Sequence, residues 1–311
     1  MRHILCAFLA FLFVGGLTAQ ERYFDERHIS SLSFLNPVLV NPGATAKDGE
    51  HRLLLNYKNT WSSFEGSPQS VILSYDGPVA DRLGFGGQLI SDSNGDLRMT
   101  KAQGQVSYTI DAPVNVLGFG IGAEYINHSL SADALNNPII DRDDPIINDR
   151  LAGASFFDVS FGVYGVYDGK LTYGLSFPSL VSTRIEDTNS ETEREIGYIF
   201  NLGYIFDKSD VVFEPSIMVK KLNQVPFHAD INLLGRFLED KLRGGITYTV
   251  GADEKIGFLV GTIIGNLNFT YAYNASRHEF QTYNNGSHEL SVLFRLGKKK
   301  DDTSMDDSMG N

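Results

Sequence analysis

Apolar and polar residues alternate with period two over most of the chain from residue 51 to residue 296. Near the end, Leu290, Val292, Phe294 and Leu296 interleave with Glu289, Ser291 and Arg295. In "LNFTYAYN", Leu267, Phe269, Tyr271 and Tyr273 interleave with Asn268, Thr270, Ala272 and Asn274. In "REIGYIFNLGYIF", Ile196, Tyr198, Phe200, Leu202, Tyr204 and Phe206 stand against the small or polar Gly197, Asn201 and Gly203. Such alternation sends the two sets to opposite faces of a strand. Together with turn chemistry it predicts about fourteen strands, at 51–58, 69–77, 84–92, 98–111, 115–128, 155–167, 170–178, 194–207, 210–221, 228–237, 242–250, 255–264, 267–275 and 287–296.

The apolar face of such strands meets a second sheet in a soluble sandwich, or lipid in an outer-membrane barrel. The connections separate the two. After every second strand the link is tight, as in "GPVADRL", "DAPVN", "YDGK", "DKSD", "LEDK" and "GN". The longer links, around 59–68, 129–154, 179–193 and 276–286, all fall at the other end. Short periplasmic turns and long external loops are the asymmetry of an outer-membrane barrel, so the expected fold is all-β, a transmembrane antiparallel barrel. Tyr57, Trp61, Tyr125, Tyr167 and Phe206 sit near strand ends, as girdle aromatics or as ordinary packing.

The start, "MRHILCAFLAFLFVGGLTAQ", has Arg2, an apolar run from Ile4 to Val14 and small residues before Gln20. This reads as a signal peptide, residues 1–19, cleaved after Ala19. The one cysteine, Cys6, lies inside it, which leaves the exported chain without disulfides. Residues 20–50, interrupted by Pro37 and Pro42, form a periplasmic lead or a segment tucked into the lumen. Residues 51–296 form the barrel. Residues 297–311, "GKKKDDTSMDDSMGN", have almost no apolar content and are expected to be a disordered periplasmic tail.

Composition agrees with a β architecture: Gly 31, Phe 21 and Tyr 14 favour strands, bulges and tight turns. A formal net charge of −12 argues against nucleic acid as a partner. No Gly-x-Ser-x-Gly or His-Glu-x-x-His motif occurs, so no catalytic residue, cofactor or metal site is assigned, and the chain reads as a non-enzyme. A barrel hydrolase with a Ser/His pair on neighbouring strands is a third reading, which a serine-reactive probe would reveal. "DRDDPIIND", Asp141 to Asp149, could hold Ca²⁺ but lacks the glycine and final glutamate of an EF-hand loop, and a solvated loop is favoured. "DSNGD", Asp92 to Asp96, reads as a hairpin turn.

Two features bear on partners. Trp61 and Phe64, in "NTWSSFEGSP", either anchor a partner or fold inward and seal the barrel mouth. Gly118, Gly120 and Gly122 fall on one inward face, where they leave room for a guest or plug, or relieve crowding between tilted strands.

Four segments carry a family resemblance: "NPVLVNPG" (Asn36 to Gly43), "YKNTWSSFEGSPQSVILSYDGPV" (Tyr57 to Val79), "LGFGGQLISDSNGDL" (Leu83 to Leu97) and "GSHELSVLF". They resemble the PorP/SprF family of outer-membrane proteins found with the type IX secretion system of Bacteroidetes. The resemblance implies an integral outer-membrane barrel that anchors, or assists export of, gliding adhesins and other surface proteins. Implied partners are a secreted surface protein, a periplasmic peptidoglycan-binding lipoprotein or motor-ring components, and membrane lipid. It marks Asn36, Pro37, Asn41, Pro42, His288 and Glu289 as motif residues, the last two read as a structural latch at the outer rim of the closing strand. The alternative function is a channel for small or hydrophobic solutes.

Overall fold

The computed structural model describes residues 29–63, 65–131, 153–181, 183–185, 196–208, 211–222, 225, 227–251, 254–277 and 285–296. The expected signal peptide, Phe64, the acidic loop 141–149 and the C-terminal tail lie outside these residues. The strands are β1 (His51–Asn59), β2 (Gln69–Ala80), β3 (Leu83–Asn94), β4 (Leu97–Ala112), β5 (Asn115–Leu130), β6 (Ala154–Tyr167), β7 (Leu171–Phe177) and β8 (Thr183–Arg184). They continue as β9 (Tyr198–Tyr204), β10 (Phe206–Lys208), β11 (Val211–Lys221), β12 (His228–Phe237), β13 (Leu242–Gly251), β14 (Lys255–Ile264), β15 (Leu267–Ser276) and β16 (Ser287–Leu296).

All of these pair antiparallel in one sheet, and β16 returns to β1 from His51↔Leu296 to Asn59↔His288. The two-residue β8 lies off this path beside β6, while β9 and β10 are one wall strand interrupted at Ile205, both facing β11. The result is a closed barrel of 14 wall strands. Closure removes the open edge that an unpaired β16 would otherwise present.

Alternation becomes inside and outside. On β1, Leu53, Leu55 and Tyr57 are exposed while Arg52, Leu54 and Asn56 are buried. Leu55 is 50% exposed, Leu89 55% and Phe258 55%, and similar residues continue around the outer wall. An apolar band of that extent needs lipid to cover it. No helix among the described residues is long and apolar enough to cross a membrane, so crossing falls to the strands.

The tight turns lie at the end where His51 enters β1. Asp168 and Gly169 adopt positive φ (50° and 64°) in the turn between β6 and β7, and Gly265 (61°) does so between β14 and β15. Outer-membrane barrels keep such turns in the periplasm. The opposite end of β1, at Asn59, therefore faces outward.

The inner face is less uniformly small and polar than the alternation suggests. Leu54, Ile72 and Ile90 point inward and pack with Leu39. Ile199 and Met218 form a second inner cluster, and Leu234, Leu259 and Ala272 a third with Leu32. These apolar inner residues have a common cause: residues 29–50 lie inside the barrel.

Candidate functional site: the filled lumen

Two prolines shape the inner segment. Pro37–Leu39 and Pro42–Ala44 are short 3₁₀ turns, each opened by its proline. Proline has fixed φ and no N–H, which suits the first helical position and leaves one donor fewer to satisfy indoors. Asn41, 2% exposed, caps the second turn: its Oδ1 accepts from Gly43 N at 2.9 Å, and its Nδ2 donates to Val163 O of β6 at 3.0 Å. One side chain thus shapes the turn and fixes it to the wall. Asn36, also buried, precedes the first turn without a side-chain capping bond.

Wall side chains reach in to satisfy carbonyls that no strand pairs. Ser176 Oγ donates to Val40 O at 2.8 Å, Gln88 Nε2 to Leu39 O at 3.3 Å, and Ser107 Oγ to Thr45 O at 2.9 Å. Gln105 Nε2 donates to Thr45 Oγ1 at 2.9 Å. These partners matter because a buried carbonyl without one loses about 1–3 kcal/mol.

Glycine sets the distance of approach. A Cβ at Gly120 would lie 2.2 Å from Pro42 C and O, one at Gly118 2.2 Å from Gly43 O, and one at Gly162 2.1 Å from Asn41 Oδ1. Three glycines on β5 and β6 therefore form a notch for Asn41-Pro42-Gly43. Gly122 belongs elsewhere: its Cβ would meet Ser160 Oγ and Gln103 Nε2 of the wall itself.

Both ends of the segment are fastened. At the periplasmic end the Arg52 guanidinium bonds Asp76 at 2.7 Å and Asp48 at 2.5 Å, and Ala46 N donates to Asp76 Oδ2 at 2.9 Å. Burial pushes the Asp48 carboxyl up, but Lys47 and Arg52 outweigh it and hold the group below its ordinary value. At the outer end Glu289, 1% exposed, accepts from Ser30 Oγ, from Ser31 N at 3.0 Å, from Ser31 Oγ and from Asn56 Nδ2 at 2.8 Å. Lys58 Nζ donates to Ile29 O at 3.0 Å. Glu289→Ala should cost about 1–3 kcal/mol, because it strands these buried donors. Glu289→Gln should recover part of it by keeping one acceptor. Hydrogen exchange at residues 30–35 reads the effect, and unchanged protection in the alanine variant would remove Glu289 as a fastening.

The two residues of the terminal motif separate. Adjacent positions on a strand face opposite ways. His288 accordingly turns outward, its Nδ1 2.7 Å from Tyr271 Oη and its ring 5.2 Å from that of Tyr273. Trp61 lies half-buried in the loop after β1 with φ 57°, and the neighbouring Ser62 N donates to Gly286 O at 3.1 Å. Positive φ is uncommon for so bulky a residue, and such outliers are held by their surroundings. Asp92 faces inward and accepts from Ser70 Oγ. No group of three or more His, Cys, Asp or Glu converges as a metal site among the described residues. Beside the segment remains a cavity lined by Leu39, Ile72, Ile90, Lys101, Glu124 and Ile199.

Sequence reasoning located the motif residues but not what they touch. The available signal was the break in alternation. In "LLL" (53–55), "VIL" (71–73) and "FLV" (258–260) the middle residue should be polar if the lumen holds water, and it is apolar.

Comparison with known proteins follows from this geometry. The monoaromatic hydrocarbon channel CymD is similar in fold, with a TM-score of 0.50 at 10% identity, covering 86% of this chain and 92% of that one. The toluene transporter TbuX of Ralstonia pickettii gives 0.49 at 8% identity over 88% and 95%. The outer membrane protein Omp33 of Acinetobacter baumannii gives 0.45 at 6% over 79% and 98%. At 10% identity the likeness to CymD speaks to the fold alone. No curated protein gives a significant match. The sequence profile of the type IX secretion system membrane protein PorP/SprF matches residues 22–294, nearly the whole chain. With the lipid-facing band, this makes the protein an integral outer-membrane barrel, and the chain belongs to the PorP/SprF family.

Proposed function

We propose that this barrel is a non-enzymatic holder for a surface protein handled by the type IX system, rather than a conduit. The observation that carries the reading is the filled lumen: residues 29–50 are notched into β5 and β6 and fastened at both ends. A conduit would have to break those contacts in every open state. Family membership supports the class of partner. The partner meets the outer rim, where the strained Trp61 offers an aromatic anchor of the kind that dominates interface energetics. On the periplasmic side Val114 and Leu238 on the tight turns, and Val79 and Ile264 at the adjoining strand ends, stand exposed, and a peptidoglycan-binding lipoprotein or motor-ring component is the partner proposed there.

Purified protein in planar bilayers should be electrically silent, and a pull-down from native outer membranes should bring a secreted surface protein with it. Trp61→Ala should lower that recovery about tenfold or more, equivalent to ~1.4 kcal/mol or more, with the barrel still folded. The cavity beside the segment, lined by apolar side chains together with Lys101, Glu124, two glutamines and two serines, favours a second reading as a channel for small hydrophobic solutes. Steady solute flux without a co-purifying protein would establish it in place of the first.

A further inference from the structure

Arg236 of β12 and Arg243 of β13 stand directly opposite each other at the periplasmic end of their strands. Like charges in that position repel, so something must hold the pair. Arg236 is in step with the inward Leu234, and Arg295 of β16 with the inward Glu289, so this charge faces the lumen. Arg295 lies close enough to Arg243 to add to the repulsion. The nearby carboxylates are shared unequally. Arg236 takes the two short contacts, to Glu214 and to Asp240, both at 2.6 Å. Arg243 is left with Asp240 at 3.7 Å and Arg295 with Glu50 at 3.9 Å, both beyond hydrogen-bond length. Arg243 Nε, Asp240 Oδ1 and Asn268 Oδ1 are buried and bond no other group among the described residues. Between the first and the last of these the wall is low. Arg243 is paired with Gly261 of β14, and Gly261 with Thr270, two residues along β15 from Asn268. A Cβ at Gly261 would lie 3.1 Å from Thr270 Oγ1 and 3.7 Å from Arg243 Cβ, and glycine leaves that space clear.

We propose that this mouth takes an acidic peptide segment presented from the periplasm, its carboxylate completing Arg243 and Arg295 and its backbone N–H groups meeting Asp240 Oδ1 and Asn268 Oδ1. The inference names the chemistry of the periplasmic contact proposed above and rests on that contact, not on the surface protein at the outer rim. A guanidinium pairs best with a carboxylate it can meet through two parallel bonds, and neither arginine has one. A bare anion would serve the arginines but leave the two oxygens facing another acceptor. A peptide carries both kinds of group. Lipid headgroups do not reach arginines that face the lumen. The turn above the groove adds an apolar neighbour, Leu238, 67% exposed. In that turn Leu238, Glu239 and Asp240 all adopt positive φ, 53°, 56° and 69°. Three such residues in a row without glycine are held by their surroundings, and here the hold is Asp240 on Arg236. Asp240 is thus the resident acceptor with which an incoming carboxylate competes.

The test is calorimetric titration of the full-length barrel in nanodiscs with the acetylated, amidated peptide Leu-Asp-Glu-Leu, beside its uncharged counterpart Leu-Asn-Gln-Leu. The acidic peptide should bind about tenfold or more tightly than the amide one, and less tightly as salt is raised. Arg243→Gln and Arg295→Gln should each lower its affinity about tenfold, the size of one lost charge-assisted bond. Arg295 is the safer site for folding, since its side chain is 41% exposed. Asp240→Asn should change affinity in the opposite direction, because it removes the competing carboxylate; general damage to the barrel would not raise binding. Loss in the arginine variants with gain in the Asp240 variant supports the proposal. Equal binding of the two peptides, arginine variants that bind like the parent, or inorganic phosphate competing at the peptide's own concentration would overturn it. A defined peptide and purified barrel involve no surface protein, so the outcome is separate from that of the pull-down.

Discussion

Gly120→Val should drive residues 41–43 out of their notch while the barrel still inserts. The added carbons would sit on the Pro42 carbonyl, which a Cβ alone would meet at 2.2 Å, and the obstructing atoms are backbone on both sides. Overpacking of a well-filled interior costs about 1–3 kcal/mol where side chains can yield, and here none can. The expected result is protease sensitivity at residues 29–50 and the appearance of conductance in a bilayer that the parent leaves silent. Gly104→Val is the control: it faces lipid, and a Cβ there meets nothing within 4 Å. A Gly120 variant that stays protected and silent would show that the notch does not hold the segment.

Tyr271→Arg and Thr270→Arg should fail in different ways. Tyr271 is 40% exposed on the outer wall, and arginine there should cost about 2–4 kcal/mol of folding into lipid. Thr270 faces inward, where a water-filled lumen would tolerate arginine; yet it is 8% exposed, beside Ala272, which packs on Leu32. The filled lumen makes this second substitution costly too, but the loss should fall on the inner segment. Insertion titrations should register the Tyr271 variant, and proteolysis of residues 29–50 the Thr270 variant. Identical behaviour of the two in both assays would contradict the assignment of faces.

The wall was legible because period two is a local signal that survives whatever lies on either side of it. Leu290, Val292 and Phe294 could be assigned to lipid, and Glu289 and Ser291 to the interior, from eleven consecutive letters ending at Leu296. The inner segment was not legible in that way. "NPVLVNPG" has no period, and its structure depends on contacts more than a hundred residues distant, such as Asn41 to Val163 and Ser176 to Val40. Gly118 and Gly120 pointed toward a close neighbour without naming it. His288 and Glu289 read as one latch because they are adjacent in sequence; the pleat gives one to the membrane face and the other to the lumen.

The contact between Ser30 and Glu289 spans 259 positions, and it sits beside the seam where β1 meets β16. Bringing such distant segments together costs about 5 kcal/mol of chain entropy before any contact repays it, and topologies ruled by distant contacts fold slowly. With His51–Asn59 bonded on both sides, the wall offers residues 29–50 no way in or out except the two mouths of the barrel. Glu289 ties the two ends of the chain together: the final strand carries the carboxylate that the first residues of the lumen segment bond, so seam and segment each hold the other in register.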